Sequence, residues 1–184
     1  MSRVAVIGGG AWGTALAMVA ARGGAHQVSL WALEKEVCDS VNTCHLNQLF
    51  LPGIKLSGSI TAHNDFREAL DGAEIVVSVM PSHHCRRSFE HMAQWLRPEM
   101  LFVSATKGLE NDTLLRISEV IHEVVERYCG FKPKVAALSG PSFAREVAES
   151  KPTAVTVAST DADLAARVQK EFSDPGFRIY VNDD

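Results

Sequence analysis

The sequence predicts an α/β fold of Rossmann type, a doubly wound and mostly parallel sheet covered by helices on both faces. Three observations carry this. Short, β-branched apolar runs alternate with helical patterns, the connections between them are short, and a glycine triplet sits where the first strand gives way to the first helix. The 184 residues suffice for one domain with its own core, so 1–184 reads as a single domain.

Residues 4–7 form an unbroken apolar run, too short for a helix, that reads as a strand buried on both faces. Gly8, Gly10 and Gly13 follow at G-x-G-x-x-G spacing, with a helical pattern of Ala15, Leu16, Val19 and Ala20 behind them. The first glycine permits the tight turn, the second lets backbone approach a pyrophosphate, and the third lets the helix sit close to the strand. The amides and the positive end of that helix then face a diphosphate. A plain glycine turn is the alternative, but the strand before and the helix after favour cofactor binding.

The first helix is expected to end near Arg22, at Gly23 and Gly24. Residues 28–31 read as the second strand. Glu34 lies about 20 residues past the glycines, where a carboxylate meets the adenosine ribose. A solvated glutamate favoured by the helix dipole is the competing reading. A ribose contact favours NAD over NADP. Leu33 offers no charge to a 2′-phosphate, and Lys35 softens the preference. A second helix covers 34–42, and 47–59 is turn-rich, with short extended pieces at best.

Ile60 and Thr61 precede a helix N-cap at Asn64 or Asp65, with Phe66, Ala69 and Leu70 behind it. Residues 74–80 are a buried strand ending at Pro81, which fixes the loop where the strand end meets cofactor. A helix follows to about Trp95. His83, His84 and Cys85 are adjacent and point in different directions, so no metal site is expected. Residues 101–105 form the next strand and deliver Thr106, Lys107 and Gly108. A helix patterned on Leu114, Ile117, Ile121, Val124 and Val125 comes next.

Residues 132–138 are a strand ending in Gly140 and Pro141. The turn there leads into a helix over 144–148, with Pro141 or Ser142 in its opening turn, a second backbone site suited to an anion or a cofactor carbonyl. A strand at 153–158, a helix at 161–172 and a strand at 177–181 complete the chain, the last two strands adding antiparallel edges.

Lys107 is the candidate catalytic residue. It closes a buried strand at the C-terminal edge of the sheet, where a cation holds a phosphate or polarises a substrate carbonyl and stabilises charge developing during hydride transfer. A solvated strand-end lysine is the alternative.

Composition narrows the partners. A net charge of −4, with 46% hydrophobic and 22% charged residues, supports neither nucleic acid nor anionic lipid as a partner. No apolar run approaches the ~20 residues of a membrane span. The first strand begins almost at Met1, so no leader is expected. The four cysteines form no C-x-x-C pair and read as free thiols of a cytoplasmic protein.

Several separate stretches together resemble one family. They are GGGAWGTALA at 8–17, LP at 51–52, MPS at 80–82, ATKGL at 105–109, SGPSFARE at 139–146, PTAV at 152–155 and RIYVNDD at 178–184. Their order is similar to that in bacterial NAD(P)-dependent glycerol-3-phosphate dehydrogenases. The resemblance implies interconversion of dihydroxyacetone phosphate and sn-glycerol 3-phosphate in the cytoplasm, feeding phospholipid synthesis.

Carried over by position, the resemblance puts Ala11 and Trp12 on the cofactor diphosphate and Leu33 by the adenosine ribose. Lys107 contacts cofactor and substrate, Gly140 and Ser142 lie on the substrate side, and Ala144 lies on the cofactor. Ala11 stands where the family often has Ser, and Leu33 where it usually has Arg or His, which weakens the expectation of NADP preference. The family continues into an all-helical domain that carries a proton-transfer lysine and most of the substrate phosphate site, and through which dimers commonly form. The chain is therefore expected to bind cofactor with little turnover by itself. Cofactor domains of 6-phosphogluconate or β-hydroxyacid dehydrogenases, and a non-catalytic dinucleotide sensor, are the competing readings. Residues 106–108 and the turn at 140–142 argue against the former.

Overall fold

Alternating strands and helices wind both ways from a central strand in the computed structural model, which describes residues 2–24 and 26–183. Met1 and Asp184, the last residue of the closing motif, lie outside the described residues. Strand β1 (Ser2–Ile7) leads to α1 (Ala11–Ala21), a 3-10 turn, β2 (His26–Trp31) and α2 (Lys35–Cys44). A small antiparallel pair follows, β3 (Leu46–Asn47) with β4 (Leu51–Lys55), and then β5 (Ile60–His63) and α3 (Phe66–Leu70). The second half runs β6 (Ile75–Ser78), α4 (Ser82–Met92), β7 (Leu101–Ser104), α5 (Ile117–Cys129), β8 (Lys134–Ser139) and α6 (Ala144–Ala148). It closes with β9 (Thr153–Ala158), α7 (Ala162–Phe172) and β10 (Phe177–Asn182).

Eight strands form one sheet in the order β10-β9-β8-β7-β6-β1-β2-β5. From β1 the chain steps outward through β2 to β5, then returns to β6 on the other flank. The strand order therefore reverses at β1 and β6, and the helices that follow them, α1 and α4, pack on opposite faces of the sheet, the arrangement that opens a crevice beyond the strand ends. β9 pairs antiparallel with β8, and β10 runs parallel to β9, so the last two strands oppose the rest as expected.

Alternate residues feed two cores. Val4, Val6, Val28, Leu30 and Val77 face the side of α1, α2, α6 and α7, where they meet Leu16, Val41, Val147 and Leu164. Ala5, Ile7, Val76 and Phe102 face α3, α4 and α5, where they meet Leu70, Phe89, Ile121 and Val124. Burial of both faces explains why β1 and β6 read as continuous apolar runs rather than alternating ones.

Four expectations need correction. Residues 60–63 form the edge strand β5, paired in parallel with β2, where sequence reading placed only the approach to a helix cap. Helix α1 begins at Ala11, inside the glycine motif rather than behind it. Leu114 has φ +58 and is 70% exposed, so it belongs to the loop before α5, which starts at Ile117. Pro141 and Ser142 precede α6, whose N-cap is Phe143, so neither stands in its opening turn. Asp65 does cap α3, accepting the Arg67 amide. Asn64 instead donates to the carbonyls of Ala32 and Leu33.

The four cysteines are free. Among the described residues no helix is long and apolar enough to cross a membrane.

Candidate cofactor site

The corner between β1 and α1 is built by glycines that have no room for side chains, and by one that does. Gly8 has φ +133, and a Cβ there would collide with the carbonyl of Val79; a Cβ on Gly13 would collide with the carbonyl of Gly8. These two glycines let β1, α1 and the loop after β6 touch through bare backbone. Gly9 faces Ala32, whose Cβ leaves it no space either. Gly10 differs, because a Cβ built on it meets nothing within 4 Å.

Gly10 is also the N-cap of α1, in extended backbone at φ −67, with no side-chain cap and no acidic residue in the first turn. The first amides of a helix have no acceptor within it. With no side chain occupying them, they present donors and a positive dipole end to the crevice.

Neighbouring loops fix this corner. The Gly8 amide donates to the Trp31 carbonyl at 3.0 Å, and the Val79 amide to the Ile7 carbonyl at 2.9 Å. Buried Asn47, from the small β3–β4 pair, donates Nδ2 to the Gly9 carbonyl and to Thr14 Oγ1, each at 2.8 Å. Sequence reading missed Asn47, which sits in a stretch legible only as turns.

Lys107 and Trp12 meet in space although 95 positions apart. The Lys107 ammonium lies 5.7 Å from the centroid of the Trp12 ring. The indole Nε1 of Trp12 and Oγ of Ser78, at the end of β6, are buried and have no hydrogen-bond partner among the described residues. Lys107, Gly108, Ser139 and Gly140 line one cavity of about 600 Å³, with Arg116 and His122 on its α5 side. Burial pushes the His122 imidazole below its ordinary pKa. Gly140, at φ +156, lies against β9, where a Cβ would come within 2.9 Å of Val155 Cα.

The remaining candidates lie at the rim. Pro81 is exposed at the N-cap of α4. Ala11, Trp12 and Ala144 pack against one core, which places α6 beside α1. Ser142 donates to the Gly140 carbonyl at 3.4 Å, and neither it nor Ala144 lines the cavity around Lys107. Leu33 and Glu34 stand at the β2–α2 corner, Leu33 70% exposed and Glu34 half-buried as an N-cap whose side chain makes no cap bond. Lys35 Nζ pairs with Asp39 at 2.7 Å, which turns its charge along α2. His83 and His84 lie on the exposed first turn of α4, their ring centroids 4.1 Å apart.

A glycine-lined, uncapped helix end at the switch point of a parallel sheet defines a dinucleotide-binding domain. The chain belongs to the NAD-dependent glycerol-3-phosphate dehydrogenase N-terminus family, whose model matches residues 3–165. It is 56% identical over its whole length to a glycerol-3-phosphate dehydrogenase (NAD(P)+) of Koribacter versatilis, covering 54% of that protein. A relative of the same description from Acidobacterium capsulatum is 48% identical, with 55% of it covered. Among solved structures, the glycerol-3-phosphate dehydrogenase of Coxiella burnetii superposes with a TM-score of 0.89 at 33% identity, over the full chain and 54% of its own. The chain thus spans about half the length of the relatives it matches.

Proposed function

We propose that the chain is the cofactor-holding half of an oxidoreductase that interconverts dihydroxyacetone phosphate and sn-glycerol 3-phosphate with NAD or NADP, serving phospholipid synthesis in the cytoplasm. The open helix end at Gly10 carries this reading, because that corner fits a diphosphate and its companion glycines are filled by protein. The nicotinamide supplies or accepts the hydride when bound.

The chain's own residues bind and orient. Gly8, Gly10 and Gly13 shape the corner, and Ala11 and Trp12 bring the first amides of α1 to the diphosphate. Leu33 and Glu34 border the adenosine ribose, and Pro81 and Ala144 wall the crevice. Lys107 contacts cofactor and substrate and stabilises negative charge growing on the substrate oxygen. Gly140 and Ser142 face the substrate. NAD is favoured over NADP: Glu34 leaves its carboxylate free of a cap bond, Leu33 brings no cation, and Lys35 is paired with Asp39.

On this reading a proton-transfer lysine and the rest of the phosphate site are supplied by a further part of the full-length form, through which it also makes a homodimer. Separating that part forfeits positioning and acid–base help together, each worth orders of magnitude. The test is calorimetry with NADH beside a steady-state assay with dihydroxyacetone phosphate. NADH binding is expected, with turnover far below that of a full-length relative. Turnover equal to that relative, or no NADH binding, overturns the proposal.

A further inference from the structure

Glu110 takes no part in the proposed cofactor and substrate contacts, yet three donor atoms from two side chains converge on its carboxylate. It is 8% exposed, three residues past Lys107. Arg86 Nε and Nη2 each reach it at 2.9 Å, one on either oxygen, and Thr113 Oγ1 adds a third bond at 2.6 Å. The Arg86 and Thr113 bonds hold the carboxyl below its ordinary pKa, although burial opposes them. A second carboxylate, Glu123, lies 2.7 Å from Arg86 Nη2 and is half exposed. Such a two-pronged guanidinium–carboxylate pair fixes orientation as well as distance.

The surrounding backbone shows what is being fixed. The Glu110 amide donates to the Leu115 carbonyl at 3.0 Å, and Leu109 pairs antiparallel with Arg116. At the other end, the Ala105 amide donates to the Ser78 carbonyl at 2.9 Å. Thr106 Oγ1 donates to that carbonyl and accepts from the Met80 amide, both at 3.2 Å. Lys107 and Gly108 therefore form an arch between two anchored feet, turned at Gly108, whose φ is +93. Arg86 belongs to α4, the helix that leaves the Pro81 loop, so the ion pair ties the two loops flanking the crevice.

We propose that Arg86 and Glu110 form a positioning device that sets the arch and so places the Lys107 ammonium over Trp12 at the mouth of the crevice. Glu110 acts through Lys107, and this inference rests on the reading of Lys107 as a cofactor contact.

Incorporating 5-fluorotryptophan gives one fluorine resonance for each of the three tryptophans. The substitution Trp12→Phe identifies the one beside Lys107. Lys107→Met moves that resonance by removing the cation, and Glu110→Gln is expected to move it the same way. Glu110→Gln also weakens NADH binding about tenfold, as loss of one well-placed contact would. The double substitution K107M/E110Q is expected to match K107M alone in both readouts, because the two residues act as one unit. A merely structural defect at Glu110 would add to the effect of K107M. Should Glu110→Gln not fold, Arg86→Gln is read in the same way. An unmoved Trp12 resonance, or additive losses of affinity, overturns the proposal. If both single variants move the resonance and leave NADH affinity unchanged, the positioning device stands and the cofactor role of Lys107 falls.

Discussion

Asn47 donates its side-chain amide to the carbonyl of Gly9 at 2.8 Å, across 38 positions of sequence. The same nitrogen reaches Thr14 Oγ1, and Asn47 Oδ1 accepts the Phe50 amide at 3.1 Å. One buried side chain thereby joins the glycine loop, the first turn of α1 and the β3–β4 pair. Replacing Asn47 with Leu leaves the buried Gly9 carbonyl only a 3.4 Å bond from Thr14 Oγ1 and takes away the acceptor of the Phe50 amide, which together cost about 1–3 kcal/mol. The expected outcome is a melting temperature lower by several degrees and weaker NADH binding, read by calorimetry. An unchanged melt would show that the loop holds its shape without Asn47.

Gly8→Ala and Gly13→Ala push a methyl into backbone, where no side chain can swing aside. Each should destabilise the chain by about 1–3 kcal/mol, the usual cost of overpacking, or more. The strain at φ +133 adds to the cost at Gly8. Denaturant midpoints for the two variants check this.

The Arg86–Glu110 pair gives a pH dependence of definite sign. Glu110 titrates below its ordinary value of 4.5 in the folded chain. Its contribution to stability is therefore complete above the unfolded value and is lost as pH falls through the folded one. At pH 7, Glu110→Gln should lower stability by about 1.5–3 kcal/mol, as for hydrogen bonds to a charged group. That difference should hold down to pH 5 and shrink as the wild-type carboxyl protonates in stronger acid. Urea unfolding of both proteins across this range is the measurement. A gap that stays constant in acid contradicts the assignment.

Leu33→Arg places a guanidinium at an exposed corner, beside a lysine already paired with Asp39. NADPH affinity should rise by about tenfold, the worth of one charge-assisted contact, with NADH affinity little changed. The gain should fade with added salt. Equal or tighter binding of NADPH by the unsubstituted chain contradicts the preference for NAD.

The sheet is legible because its central strands are apolar on both faces, and the candidate corner between β1 and α1 because glycine spacing encodes close backbone approach. What escaped lacks such a signature. β5 holds only four residues, with polar Thr61 and His63 alternating with Ile60 and Ala62, and it is a strand because β2 offers an edge to pair with. Leu114 fits the helical spacing of Ile117 and Ile121, but the bonds centred on Glu110 hold it in a turn. Asn47, Arg86 and Glu110 act through partners tens of positions away, which local sequence does not show.

If bare helix amides at Gly10 grip the cofactor diphosphate, a side chain at that position must displace it. Gly10 has a backbone open to any residue and empty space around its missing Cβ, so Gly10→Val should fold with a melt within a few degrees of wild type. Calorimetric titration of NADH into both proteins is the decisive measurement. Binding to the unsubstituted chain is expected, with a loss of at least about tenfold for Gly10→Val, since the new side chain occupies the diphosphate position. Equal NADH affinity in a folded Gly10→Val variant would contradict a diphosphate held at Gly10.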